Sequence, residues 1–266
     1  MRIALAQISS TRDVAQNIEL LRENVATAAQ HDADLVVFPE ASMLSFEGPL
    51  PDETAAHQGE WEKAVKDAAQ QHGIAIAAGG FKTAGERVYN QLLLAYPDGS
   101  EKIYNKMHLF DAYGFEESEN VAPGDELVLA EVAGTKLGLT VCYDVRFPKL
   151  YAEYSRAGAQ VMLVIASWGE GSGKVDQWRA LTTARALDSN SYVVAVGQAH
   201  PLTVGSDPDE SPAPLGIGRS RVIDPFGREL VELGESPDLR LVELDLELVE
   251  EAHQKLPVLE NAKLGY

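Results

Sequence analysis

Three residues of this 266-residue chain combine reactive side chains with apolar surroundings. The stretch GLTVCYDVRF, residues 138–147, runs apolar and then meets Cys142, the only cysteine in the chain. A lone thiol is most often a small buried hydrophobe. At the end of an apolar strand and just ahead of a helix, it is also presented as nucleophiles often are, because a helix N-terminus favours negative charge. A free thiol is only about 3% ionised at pH 7, so as a nucleophile it needs a base or a positive neighbour. Histidine is the usual partner, and His108 is a candidate. Two other residues are placed more suggestively. Glu40 closes DLVVFPE, where apolar residues and a proline run straight into a carboxylate. Partial desolvation at such a strand end makes a carboxylate a better base. Lys106 lies in KIYNKMHLF among Tyr104, Met107, Leu109 and Phe110, unusual company for a solvated lysine. Each has an ordinary alternative, a glutamate in a surface loop and a lysine snorkelling to the surface.

Other chemistries fail on spacing. GEGSGK at 169–174 invites a phosphate-loop interpretation, but the required glycine and hydroxyl positions hold Trp168 and Val175. It fits better as a flexible strand-to-helix connection. The six histidines form no HExxH and there are no cysteine pairs, so no metal site is expected. A GxSxG elbow around Ser167 would need glycine where Ile165 stands.

The elements that must position these residues alternate apolar runs with amphipathic stretches. MRIALAQ reads as a buried first strand. Val14, Ile18, Leu21, Val25 and Ala28 then form a helical stripe. DLVVFPEAS is a short apolar run, EWEKAVKDAAQQHG a helix stopping at Gly73, and IAIAAGGF a further strand. Tyr89 to Asp98 predicts a strand ending in the turn Pro97-Asp98-Gly99. KLGLTVCYD is strand-like and precedes a helix from about Pro148 to Gly158. VMLVIASWG, a helix over Val175–Asp188 and YVVAVGQ follow. GRSRVIDPFGRELVEL predicts a hairpin turning at Asp224-Pro225-Phe226-Gly227, and LRLVELDL a last strand before a terminal helix. Apolar strands without alternation, joined by helices, predict an α/β protein whose sheets are covered by helices. With no linker-like break, residues 1–266 are expected to form one domain, and the Pro/Asp/Ser-rich stretch 203–216 a surface flap within it.

The formal net charge of −19, from 22 basic and 41 acidic side chains, repels phosphate backbones and anionic lipid surfaces. Neither nucleic acid nor membrane is therefore an expected partner, and an anionic substrate would need locally placed cations. The N-terminus reaches polar Gln7 too early for a signal-peptide core, and no apolar run approaches the ~20 residues of a membrane helix. One cysteine fits a reducing compartment. A soluble cytoplasmic protein is expected.

The segments VVFPE, YNKMHLFD and GLTVCYDVRFPKL, in that order, resemble the nitrilase (carbon–nitrogen hydrolase) superfamily. Glu40 and Lys106 stand 66 residues apart, and Lys106 and Cys142 36, as in that family. The likeness extends from MRIALAQ to the terminal KLPVLENAKLGY and is greatest to the omega-amidase and deaminated glutathione amidase branch. The resemblance implies a four-layer α-β-β-α sandwich that assembles as a homodimer or larger and needs no cofactor. It implies Cys142 as nucleophile, Glu40 as general base and Lys106 as transition-state stabiliser, with the backbone N–H of Tyr143 as second oxyanion donor. Relatives carry a further glutamate shortly before a Pro-Gly pair, and FEESENVAPG aligns it with Glu117, Glu116 being adjacent. Omega-amidase-like relatives handle small dicarboxylate monoamides such as the keto acid of glutamine, so a cation for a distal carboxylate is expected. Arg146 is one candidate, and Arg179 and Arg185 are weaker ones. SWGEGSGK replaces a phenylalanine-containing segment of those amidases, so Ser167 and Trp168 are expected to shape a different pocket. The expected activity is hydrolysis of a small linear amide through a thioester. Its alternatives are an aliphatic amide or carbamoyl-amine substrate, an acyltransferase, or a non-catalytic module on the same fold.

Overall fold

The computed structural model describes residues 1–205 and 213–263, so residues 206–212 of the expected flap lie outside the described residues. One mixed sheet contains β1 (Arg2–Gln7), β2 (Leu35–Val37), β3 (Ala75–Ala84), β4 (Arg87–Ala95) and β5 (Glu101–Asn105). A two-stranded ribbon, β6 (Asp111–Ala112) and β7 (Phe115–Glu116), follows it. A second mixed sheet holds β8 (Leu129–Val132), β9 (Thr135–Val141), β10 (Val161–Ala166), β11 (Tyr192–Gly197), β12 (Arg221–Ile223) and β13 (Glu229–Glu232). The last strand, β14 (Asp238–Glu243), returns to the first sheet, whose order is β14-β1-β2-β3-β4-β5; the second runs β13-β12-β11-β10-β9-β8. In each sheet three central strands are parallel: β1, β2 and β3 in one, β9, β10 and β11 in the other.

Alternation along the central strands of the first sheet decides the layering. Ile3, Leu5, Leu35, Val37, Ala75 and Ala77 point into a core shared with Leu137, Leu139, Val141 and Leu163 of the second sheet. Their neighbours Ala4, Ala6, Val36, Ile76 and Ala78 point the other way, onto α1 (Val14–Gln30) and α2 (Leu50–His72). The outer face of the second sheet is covered by α3 (Pro148–Arg156) and α4 (Lys174–Ser189), which contribute Tyr151, Tyr154 and Trp178. The result is the expected helix–sheet–sheet–helix stack. It is closed at the C-terminus by α5 (Glu247–Lys255) and the short α6 (Val258–Asn261).

The helix signals act as their chemistry requires. Asp13 caps α1 by accepting from the amides of Ala15 and Gln16 at 3.0 and 3.2 Å. Gly73 ends α2 in the left-handed conformation, φ 66°. That helix begins ten residues before the EWEK stretch, with Pro51 and the acidic Asp52 and Glu53 in its first turn, all suited to a helix N-terminus. The sequence pattern did not single out β5 or β8. Both are edge strands with mixed polarity, so neither carries a continuous apolar run. Among the described residues, no helix is long and apolar enough to cross a membrane.

Candidate active site

The parallel strands of both sheets release their chains at one end, where α/β proteins collect ligands. Glu40 follows β2. Pro39 has no N–H to extend the ladder, and Ala41 turns the chain with φ 58°, so the carboxylate is left just beyond the strand. The backbone there rests directly on Gly79 of β3: a Cβ at Gly79 would lie 2.4 Å from the Pro39 carbonyl oxygen and 2.7 Å from the Glu40 Cα. Glu40 is fully buried. Its Oε1 accepts from Lys106 Nζ at 2.9 Å and Asn90 Nδ2 at 2.8 Å, and its Oε2 from the Ser167 amide at 2.7 Å.

Lys106 follows β5 and is pinned by its backbone: its N–H donates to Asn90 and its carbonyl accepts from Gly124, both at 2.8 Å. Its ammonium is 2.8 and 3.0 Å from the two carboxylate oxygens of Glu117. Glu117 opens a short 3-10 turn, Glu117–Glu119, and also accepts from Asn90 Nδ2 at 3.0 Å and the Phe110 amide at 2.7 Å. Of the two adjacent glutamates, Glu116 is exposed on the ribbon and Glu117 is buried against Lys106. Burial by itself lowers the Lys106 pKa, but the charges of Glu117, Glu40 and Cys142 outweigh it and hold the ammonium well above its ordinary value.

Cys142 is the first residue after β9, at the start of a 3-10 turn, Cys142–Arg146, with φ 46°. A non-glycine residue in that region is rare and is retained where the surroundings over-determine it. Asp144 supplies the constraint: its carboxylate accepts from the Val141 amide at 2.9 Å, Tyr104 OH at 2.8 Å and the His108 amide at 3.1 Å. The thiol lies 3.9 Å from the Ser167 carbonyl oxygen. Burial, then the Glu40 carboxylate, push the thiol pKa well above its ordinary value; Lys106 opposes them and Glu117 adds to the rise.

Glu40, Lys106, Glu117 and Cys142 line one narrow cavity, walled by Phe46, Phe110, Phe115, Tyr143, Trp168 and Pro214. Ser167 also lines it, with its hydroxyl donating to the Pro214 carbonyl. Arg146 does not. It donates to Gln177 at 2.7 Å and lies 5.2 and 5.8 Å from the ring centres of Trp168 and Tyr143. Arg179 pairs with Glu232, and Arg185 donates to the Val145 carbonyl at 2.9 Å and to Asp188 at 2.6 Å, so both are structural. His108 is 2.7 Å from Asp144 and stacks on Phe147 at 3.6 Å, away from the thiol. Among the described residues, no group of three His, Cys, Asp or Glu side chains could hold a metal ion.

Three contributors escaped the sequence pattern. Asn90 bridges the two glutamates, and its one visible signal was a polar residue inside the apolar strand VYNQLLLA. Asp144 lay inside the CYD segment without an assigned role. Lys174, set aside with GEGSGK, lines the cavity.

The carbon–nitrogen hydrolase family profile matches residues 2–254. A Mycobacterium tuberculosis protein named only as a hydrolase is 46% identical over 98% of this chain and 95% of its own length. The deaminated glutathione amidase of Escherichia coli O157:H7 is 32% identical over 100% of this chain and 98% of its own. XC1258 of Xanthomonas campestris, a CN-hydrolase superfamily protein solved with an arsenic adduct in its active site, superposes with a TM-score of 0.83. It is 26% identical, over 99% of this chain and 97% of its own. An amidase of Nesterenkonia sp. AN1, solved after Michael addition of acrylamide at its active site cysteine, gives 0.78 at 25% identity, over 97% and 98% of the two chains. With a family profile across nearly the whole chain, this protein belongs to the carbon–nitrogen hydrolases of the nitrilase superfamily.

Proposed function

We propose that this protein is a cysteine-dependent hydrolase of a small, linear, carboxylate-bearing amide, similar in activity to an omega-amidase or deaminated glutathione amidase. The observation that carries it is the buried Lys106 ammonium bracketed by Glu40 and Glu117, in one cavity with the chain's single thiol. Two carboxylates and one ammonium leave the cluster one negative charge in excess. As Cys142 attacks the amide carbon, Glu40 takes the thiol proton and is neutralised. Its hold on Lys106 weakens, and the ammonium turns to the oxyanion, so the excess negative charge passes from the cluster to the substrate oxygen and the site as a whole gains none. The Tyr143 backbone N–H is the second donor. Glu40 then returns the proton to the departing nitrogen as the C–N bond breaks, leaving a thioester on Cys142. A water, deprotonated by the same glutamate, attacks the thioester; the acid leaves and the thiol is restored.

Support comes from the raised thiol pKa, which calls for proton removal during attack rather than a standing thiolate. With this proposal go a cytoplasmic location, in keeping with the single cysteine, and a homodimer or larger assembly, as the resemblance implies. The test is hydrolysis of the keto acid of glutamine and of deaminated glutathione, followed by release of 2-oxoglutarate, by wild type and Cys142→Ala. Turnover lost in the mutant is the expected result; mutant activity near wild type would overturn the assignment.

A further inference from the structure

The mechanism leaves one charged group of the cavity without a task. Lys174 is the first residue of α4 and is only 9% exposed. Its ammonium lies 4.0 Å from the ring centre of Tyr113, with Phe110 and Trp168 at 5.4 and 5.7 Å. Among the described residues, no carboxylate or other acceptor bonds to it, whereas the more deeply buried Lys106 has two carboxylates. A charge this enclosed is ordinarily paired, and aromatic faces replace only part of its lost hydration. Burial lowers the Lys174 pKa, and the nearby Arg146 guanidinium lowers it further, so an arriving anion relieves both.

Position says which anion. Lys174 lines both the catalytic cavity and a wider outer chamber. In the outer chamber the facing groups are Glu170 and His200, 3.3 Å apart, and the glutamate repels an anion there. On the inner side, Lys174 and Cys142 line one cavity. An anionic group reaching Lys174 from that side belongs to the portion of substrate that stays on the sulfur.

We propose that Lys174 determines specificity: its ammonium, held over Tyr113 where the two spaces meet, receives a carboxylate on the acyl part of the substrate, so the enzyme favours monoamides of dicarboxylic acids. This rests on the amidase function proposed above. Arg146, the cation singled out by its position in the sequence, adds positive potential from behind Trp168 without entering the cavity.

The test is a selectivity ratio. kcat/KM is measured for glutaramate and its uncharged counterpart pentanamide, with wild type, Lys174→Met and Lys174→Arg. Wild type is expected to prefer glutaramate, Lys174→Met to lower that preference by about 10- to 100-fold, the worth of one charged hydrogen bond, and Lys174→Arg to retain most of it. A methionine variant that loses both activities together, with the ratio unchanged, makes Lys174 structural and overturns the proposal. A change confined to N-butanoylglycine against butanamide places the anion on the leaving group and overturns the acyl assignment. Alkylation of Cys142 by iodoacetate against iodoacetamide gives a readout independent of turnover, and Lys174→Met is expected to shift it toward the neutral reagent. An unshifted alkylation ratio overturns the role of Lys174. A shifted ratio in a protein that hydrolyses none of these amides refutes the amidase function and keeps the anion site.

Discussion

Replacing Glu117 by glutamine keeps the size of the side chain and removes one of the two negative charges that face Lys106. The carboxylate accepts four hydrogen bonds, two from Lys106 Nζ and one each from Asn90 Nδ2 and the Phe110 amide. A glutamine can keep only one oxygen there. Whichever position its amide nitrogen takes, a Lys106 bond and one other donor lose their acceptor. One buried charged hydrogen bond contributes about 1.5–3 kcal/mol, which corresponds to roughly 10- to 150-fold in rate if it supports the transition state. Lys106 would then lean on Glu40 alone, opposing protonation of that carboxylate and drawing the ammonium from the oxyanion. kcat/KM should therefore fall by that factor. The thiol should move the other way. Glu117 is one of the charges that raise the Cys142 pKa, so Glu117→Gln should bring thiolate formation to lower pH. Because Cys142 is the only cysteine, the pH dependence of iodoacetamide alkylation, followed by mass, reports that titration directly. A more readily ionised thiol in a slower enzyme is the expected signature. A thiol titration that stays put or rises, or kcat/KM within twofold of wild type, would refute the charge arrangement given for Lys106.

Further outcomes follow from the same geometry. Gly79→Ala would place a methyl 2.4 Å from the Pro39 carbonyl and must displace the Glu40 backbone; kcat/KM should fall about 100-fold, as a shift near 1 Å commonly costs, and an unaltered rate would show that Glu40 tolerates movement. Asn90→Asp would set a third carboxylate where the amide now lies 2.8 and 3.0 Å from Glu40 and Glu117. Activity should drop by at least ~100-fold and the melting temperature should fall, since breaking a buried ionic arrangement typically costs about 3–5 kcal/mol; rates within threefold of wild type would exclude Asn90 as the bridge. Glu232 is held below the usual glutamate range first by its hydrogen bond from Arg179, with Arg221 and Arg219 adding. Its stabilisation is present above the unfolded value near ~4.3 and lost as pH falls below it, so Glu232→Gln should flatten the acid-side decline of Tm.

Much of this protein was legible in the chain. Continuous apolar runs such as VMLVIA and YVVAVG are buried on both faces, and hydrophobic burial leaves such runs little choice but the middle of a covered sheet. The helix stops at Gly73 and the cap at Asp13 are local backbone chemistry, and the structure keeps them. Motif spacing brought out Glu40, Lys106 and Cys142, because Glu40 and Cys142 each close an apolar run with a reactive group and Lys106 is a charge set among aromatic and apolar residues. The places of Asn90, Lys174 and Arg146 were decided only by the tertiary structure. Nothing local distinguishes Asn90 from any polar residue in a strand until the end of β2 and the 3-10 turn after β7 bring two carboxylates to its amide. Arg146 is nearer to Cys142 in sequence, yet the turn of the 3-10 segment sends it to Gln177 behind the Trp168 ring. Lys174 is 32 residues from the thiol, and the end of β10 and the start of α4 fold it back into the same cavity. Local propensity and burial act along the chain and can be read there; charge pairing acts through space, over distances that only the packing of the two sheets sets.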